Sequence, residues 1–244
     1  MKKTIKLISL NIEGDNHLDK VIPFLVSENP DIICLQEVFK HNSETIANKI
    51  KRKDYFFPMA KMFEKRYTKK SLGMLWGISF LTNLEFKNIQ CEQYFGNEKV
   101  VPSYLGGGGL CNRILAWGNV KKEGKEQTIA TTHFTWSSKG NTTVIQRRSF
   151  NKLNKILDKV GDCVLCGDFN APRGGEIFTA LSKRFTDNIP VQVKTTVDEN
   201  LHRKKGLQVV VDGLFTSSNY KAENVKIIGG VSDHKAIVAT IFKI

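Results

Sequence analysis

The sequence predicts an α/β (α+β) fold in which two mixed β-sheets pack together with helices on their outer faces. Three observations carry this. Short apolar runs of strand length recur along all 244 residues. Helical periodicity appears between the first two runs and on both sides of a later one. Residues 72–135 hold consecutive strand candidates with no helical period, a segregation that layered sheets and helices accommodate.

The elements follow in order. IKLISL (5–10) is the first strand. Leu18, Val21, Ile22 and Leu25 recur at i, i+3, i+4 and i+7, so an amphipathic helix comes next, ended by Asn29-Pro30. Pro23 falls near its first turn, where proline is tolerated. IICLQ (32–36) is the second strand. Met74–Leu81, Glu92–Phe95, Ile114–Val120 and Thr128–Thr132 make the consecutive series. Phe150, Leu153, Leu157 and Val160 mark a second helix, VLCG (164–167) a buried strand, and Ile177, Phe178, Leu181 and Phe185 a third helix that Pro172 would open. LQVVV (207–211) and Ala236–Ile241 are the last strands. No repeat or long linker divides the chain, so residues 1–244 are expected to form one domain.

Composition narrows the class. Hydrophobic residues make up 41%, and the longest apolar stretches are strand-sized, which predicts no membrane-spanning helix. Two lysines precede the first apolar run, but Lys6 interrupts it and no small-residue cleavage site follows, so an export signal is not expected. The five cysteines, at 34, 91, 111, 163 and 166, read as buried free thiols of a cytoplasmic protein. Cys163 and Cys166 have redox-motif spacing, but i and i+3 on a strand face opposite sides. The Gly106–Gly109 run lacks the strand–loop–helix setting and Lys-Ser/Thr pair of a phosphate loop and reads as a connection. The net charge of +13 is spread along the chain and would attract polyanions.

The chemistry lies at the strand ends. Five apolar runs stop at Asn11, Glu37, His133, Asp168 and Asp212, and Ser232-Asp233-His234 precedes the last strand. Polar residues at the ends of buried strands are costly unless those ends converge on water, a metal or a substrate. Convergence at one edge would build a site of acids, histidines and amides suited to hydrolysing a phosphate ester with a divalent metal. Asp168 and Asn170 are two apart, so an extended chain points both the same way: Asp168 to take a proton from water, Asn170 to donate to a phosphate oxygen. A Gly-Asp-Phe-Asn turn is the alternative. Asp212 and His234 read as a carboxylate–imidazole pair, with His133 a second imidazole for the scissile phosphate or leaving group.

Ser-Leu-Asn11, Leu-Gln-Glu37-Val, Thr-His133-Phe, Gly-Asp168-Phe-Asn170, Val-Asp212-Gly-Leu-Phe and Ser-Asp233-His234 resemble, in order and spacing, the motif set of the endonuclease/exonuclease/phosphatase superfamily. The resemblance implies a four-layer α/β sandwich and a Mg²⁺ (or Mn²⁺) ion held by Glu37, with Asn11 and Asp233 completing or orienting its shell. A hard divalent ion prefers such oxygen donors. The histidine at 133 resembles the deoxyribonuclease-I, sphingomyelinase, inositol-phosphatase and tyrosyl-DNA phosphodiesterase branches rather than exonuclease-III-type enzymes.

Substrate contacts are expected from Trp136, whose ring would stack on a base or instead anchor its loop in the core, and from Arg113, Tyr94, Arg147 and His202. His17 and His41 read as surface residues. The basic charge and aromatic rim favour nucleic acid over a lipid head group, because no apolar hairpin is visible. Hydrolysis of a phosphoinositide, sphingomyelin-type lipid or small phosphate ester is the alternative. A non-catalytic nucleic-acid-binding module is the reading from another class.

Overall fold

The computed structural model describes residues 4–97, 99–106 and 110–244. Gly107–Gly109 of the glycine run lie outside them. The described residues fold as two packed mixed sheets flanked by four α-helices.

The first sheet contains β1 (Ile5–Asn11), β2 (Ile32–Phe39), β3 (Lys53–Met62), β4 (Leu75–Thr82), β6 (Ser103–Tyr104), β12 (Tyr220–Ile228) and β13 (Ala236–Lys243). Its strand order is β12-β13-β1-β2-β4-β3-β6. The second contains β5 (Glu85–Phe95), β7 (Arg113–Lys122), β8 (Lys125–His133), β9 (Val164–Asp168), β10 (Thr186–Asp187) and β11 (Asp212–Thr216), in the order β10-β11-β9-β8-β7-β5.

Side chains sort between layers by the period of two that a pleated strand imposes. Ile5 and Leu7 of β1, with Ile32 and Cys34 of β2, face the second sheet. Their neighbours Ile8, Leu10, Ile33 and Leu35 face outward, where Val21 and Leu25 of α1 (Leu18–Glu28) and Ile46 of α2 (Lys40–Lys49) cover them. On the other side α3 (Val144–Val160) and α4 (Glu176–Arg184) bury Phe150, Leu153, Leu157, Phe178 and Leu181. Thr143 caps α3, its hydroxyl accepting from the Gln146 amide at 3.2 Å.

The chain direction places the site. β1 runs parallel to β2, and β8 parallel to β9, with Asn11 opposite Gln36 and His133 opposite Asp168. β11 is antiparallel to β9, with Asp212 opposite Asp168, and β13 is antiparallel to β1. Strands that end at this edge therefore meet strands that begin there.

Several sequence expectations need correcting. Residues 207–211 are not a strand; β11 starts at Asp212, so that carboxylate opens its strand instead of closing one. Pro23 lies in the second turn of α1, beyond the first-turn position where it costs no hydrogen bond. Pro172 sits in a turn ahead of α4, which is capped at Gly175. The helix α2 and the strands β3 and β12 were not foreseen.

Among the described cysteines all are free; Cys34, Cys111, Cys163 and Cys166 are buried and Cys91 is exposed. No helix of the described residues is long and apolar enough to cross a membrane.

Candidate active site

The strand ends converge as a hydrogen-bonded cluster centred on Asp168. Asp168 is 1% exposed. Its Oδ2 accepts from Asn11 Nδ2 at 3.1 Å, and its Oδ1 from the Asn170 amide at 2.8 Å. Two imidazoles flank Oδ2, His133 Nε2 at 3.4 Å and His234 Nε2 at 3.9 Å. Burial and the neighbouring Asp212 raise the Asp168 carboxyl above the ordinary range, against the pull of His234 and His133.

The two imidazoles sit in opposite environments. His234 Nδ1 donates to Asp212 Oδ2 at 2.8 Å. Burial opposes its charge, but Asp212 and Asp168 outweigh burial and raise His234 well above the usual histidine value, so the ring is held as imidazolium. Burial and the Arg113 charge push His133 down to about 4, leaving it neutral at physiological pH. Arg113 Nη1 donates to the His133 carbonyl at 3.3 Å. The ring stands edge-on to Trp76, with centroids 5.5 Å apart.

Glu37 is aimed by a bulge. The β2–β4 register shifts between Leu35 and Val38, and Glu37 adopts φ +52, a left-handed conformation that a non-glycine residue takes at a cost. The bulge breaks strict alternation and lets Gln36 stay in the inter-sheet core while Glu37 turns to the site. Gln36 Nε2 donates to the Cys34 carbonyl and to Thr131 Oγ1, both at 3.1 Å.

Glu37 Oε2 accepts from the Tyr67 hydroxyl at 3.0 Å and from Arg66 Nη2 at 3.3 Å, while Oε1 meets His133 Nε2 at 3.7 Å. Burial works against the Glu37 charge, yet Arg66 and His133 hold its carboxyl down at about 2. Arg66 also bridges to Glu13 at 3.2 Å and Glu64 at 2.6 Å, and Glu13 in turn pairs with His17 at 3.0 Å.

Asp168 and Asn170 are joined by a turn rather than extended chain. Asn170 has φ +48, its amide closes back on Asp168 Oδ1, and its Nδ2 donates to the Phe134 carbonyl at 3.1 Å. The turn alternative therefore holds, and Asp168 and Asn170 do not point the same way by strand alternation. Gln146 Nε2 ties the two loops together, donating to the Thr135 carbonyl at 2.8 Å and the Asn170 carbonyl at 3.3 Å.

The expected substrate contacts divide. Trp136 is 57% exposed, three residues past His133, and is not a core anchor. His202 lies over His234, ring centroids 6.5 Å apart. Tyr94 is buried beneath the site, its hydroxyl 2.8 Å from Thr132 Oγ1, and has no surface to offer a substrate. Arg113 is likewise nearly buried behind His133. Arg147 is exposed but engaged with Glu176 through two bonds of 2.7 Å. His17 and His41 are not free surface residues: the first pairs with Glu13, and the second stacks on Phe39.

The residues fit a hard divalent cation. Glu37, Asn11 and Asp233 supply oxygen donors, and Glu37 Oε1 has only a long contact to His133. Burial, with Glu13 and Glu37 adding to it, pushes Asp233 up to about 7 despite His234. Such crowding of buried carboxylates is what a divalent ion relieves. Ligand atoms of Asp168, Asp212 and His234 also lie within 4.8 Å of one another. We read that trio as a proton network, because an imidazolium engaged to Asp212 has no lone pair for a metal.

Sequence reading missed Glu13, Arg66 and Tyr67. Glu13, two residues beyond Asn11, is the only one with a sequence cue. Arg66 and Tyr67 reach Glu37 from the segment between β3 and β4, which no motif marks.

Comparison with known proteins agrees with this architecture. Residues 8–234 match the model of the Endonuclease/Exonuclease/phosphatase family. No curated protein sequence matches the chain. A solved endonuclease/exonuclease/phosphatase from Bacteroides vulgatus is 19% identical, with TM-score 0.74 and complete coverage of both chains. The Bacteroides thetaiotaomicron mannosyl-6-phosphatase Bt3783 is 15% identical, TM-score 0.68, over 97% of this chain and 99% of that one. D. rerio TDP2 complexed with single-strand DNA product is 14% identical, TM-score 0.67, over 98% of each chain. At these identities the likeness concerns the fold.

Proposed function

The chain belongs to the endonuclease/exonuclease/phosphatase family, and from that premise we propose that it is a divalent-metal-dependent hydrolase of phosphoesters. The position of Asp168 carries the reading. It is a buried carboxylate of raised proton affinity, held by two amides and flanked by one charged and one neutral imidazole.

Each residue then has a task. Asp168 takes the proton of the attacking water, for which a raised proton affinity is an advantage. Asn11 and Asn170 fix its two oxygens. His234, kept charged by Asp212, offers Nε2–H to a non-bridging phosphate oxygen and stabilises the charge that develops there. Neutral His133 gives a hydrogen bond to the phosphoryl group or leaving oxygen. Asp212 orients His234, and Arg66 and Tyr67 orient Glu37. Glu37, Asn11 and Asp233 would hold Mg²⁺ or Mn²⁺, which when bound polarises the phosphoryl oxygen and neutralises the leaving group.

Two substrate classes draw on different observations. Nucleic acid is supported by the +13 charge and by exposed Trp136, able to stack on a base. A phosphorylated lipid head group is supported by exposed aliphatic side chains around the site. The reaction is common to both.

The deciding experiment is turnover of bis(p-nitrophenyl) phosphate, single-stranded DNA and a phosphoinositide, with Mg²⁺ or with EDTA, by wild type and Glu37→Ala. Cleavage abolished by chelation and by the substitution is expected. Undiminished turnover by Glu37→Ala would refute the proposal.

A further inference from the structure

The rim of the site carries a feature that the reaction does not use. Among the described residues twelve large apolar side chains are exposed, and all but Val26 and Ile244 lie in segments at the catalytic edge. Each segment begins or ends beside a site residue. Residues 63–74 lead into β4, where Trp76 lies against His133, and the described residues 99–106 and 110–112 lie ahead of Arg113. Residues 134–145 follow His133 through the first turn of α3, and residues 188–211 end at Asp212.

The exposure is large at the tips: Leu105 is 75% and Val191 93% exposed. Met74 and Ile145 are exposed in the first and third segments. Backbone and side-chain bonds stitch neighbouring segments together. Phe63 N donates to the Tyr104 carbonyl at 2.9 Å, and Arg173 Nη2 reaches from the turn after β9 to the Ile189 carbonyl at 2.7 Å.

Exposed cations occur in the same segments as these apolar side chains. Lys65, Lys69 and Lys70 share a segment with Met74, and Arg203, Lys204 and Lys205 share one with Val191. We propose that the catalytic edge docks this enzyme on an anionic lipid surface. Isolated exposed apolar residues need no explanation, but their confinement to one edge does. Apolar side chains inserted at the head-group boundary, with lysines and arginines facing anionic lipid, make a two-part attachment in which neither part suffices alone.

The composition distinguishes this occupant from a nucleic-acid strand. Strand binding uses rings on which bases stack, whereas this rim is largely aliphatic. Trp136 suits the boundary region of a bilayer equally well. The expectation that an apolar hairpin would betray lipid binding looks for a single segment; here the apolar side chains are divided among several, and only the fold brings them to one edge.

The test separates docking from turnover. Full-length Glu37→Ala is sedimented with phosphatidylcholine vesicles and with vesicles that also contain phosphatidylglycerol. We expect sedimentation with the anionic vesicles, reduced by salt, and at least tenfold weaker partition when Leu105→Asp and Val191→Asp are added. In an otherwise wild-type chain the same pair should leave hydrolysis of bis(p-nitrophenyl) phosphate unchanged.

No sedimentation with anionic vesicles, or partition indifferent to the two substitutions, overturns the inference. So does tight binding of a single-stranded oligonucleotide that these substitutions abolish, which would assign the rim to nucleic acid. Docking by Glu37→Ala beside a wild type that hydrolyses nothing would uphold the surface and sink the reaction instead.

Discussion

Tyr67→Phe removes one oxygen and little else. The ring packs edge-on against Phe39, with centroids 5.0 Å apart, and phenylalanine keeps that contact. What is lost is the hydroxyl donating to Glu37 Oε2 at 3.0 Å. The carboxyl of Glu37 is held at about 2 against an ordinary 4.5. That difference corresponds to about 3 kcal/mol in favour of the charged form, net of burial. Arg66 and His133 are larger contributors than the Tyr67 hydroxyl, so the single bond is worth about 1–2 kcal/mol, within the usual range for a hydrogen bond to a charged group.

For a chain of this size the melting temperature at pH 7 should fall by about 2–8 °C. The sign of the pH dependence follows from the depressed carboxyl. Stability from charged Glu37 is complete above the ordinary 4.5 and is lost as pH falls towards about 2. The difference between variant and wild type should therefore keep about 60–80% of its size at pH 3 and fall below about a third by pH 2. Calorimetry of the metal-free proteins across that range is the assay. An unchanged melting temperature at pH 7, or a deficit that persists undiminished at about pH 2, would refute the reasoning.

Other perturbations probe the rest of the site. Because Asp233 is raised to about 7 and must lose its proton to bind a cation, Mg²⁺ affinity should fall by up to about tenfold per pH unit below 7. Isothermal titration should find that dependence flattened in Asp233→Asn. Asp212→Asn withdraws the anion that sustains the His234 imidazolium, so the alkaline limb of kcat/KM should move to lower pH; a profile that stays in place would count against a charged His234. Gly167 has φ +141, and an added Cβ would stand 2.0 Å from the Thr132 carbonyl oxygen. Gly167→Ala should cost about 3 kcal/mol or more, read by urea denaturation, since neither backbone can yield without breaking the β8–β9 ladder.

The strand ends were legible because buried strands leave continuous apolar runs and polar terminators stand out against them. Asn11, Glu37, His133 and Asp168 all lie in β-elements whose sequence states this directly. The 207–211 run misled for the same reason: apolar composition signals burial, not hydrogen bonding, and Thr196 Oγ1 satisfies the Val211 and Asp212 amides that a strand partner otherwise would. The helix α2 offers only Ile46 and Ala47 as apolar anchors beside its buried Asn42 and Ser43, too few for a readable period. The edge strand β12 is only partly covered, and a register shift between Glu223 and Lys226 breaks its alternation. Arg66 and Tyr67 escaped notice because a contact to Glu37 across 29 or 30 positions leaves no local pattern.

The placement of β1 between β2 and β13 bears on how the protein is made. Its partners are separated by nearly the whole sequence, Ile5 lying beside Ile241 while Leu7 lies beside Ile32. A ribosome delivers β1 well before β13, so one flank of β1 stays open until residues 236–243 have emerged. Unpaired apolar flanks invite pairing with other nascent chains. Ordering Asn11, and with it Asp168, therefore waits on residues 236–243, and truncation within that last strand should remove the catalytic centre together with the sheet.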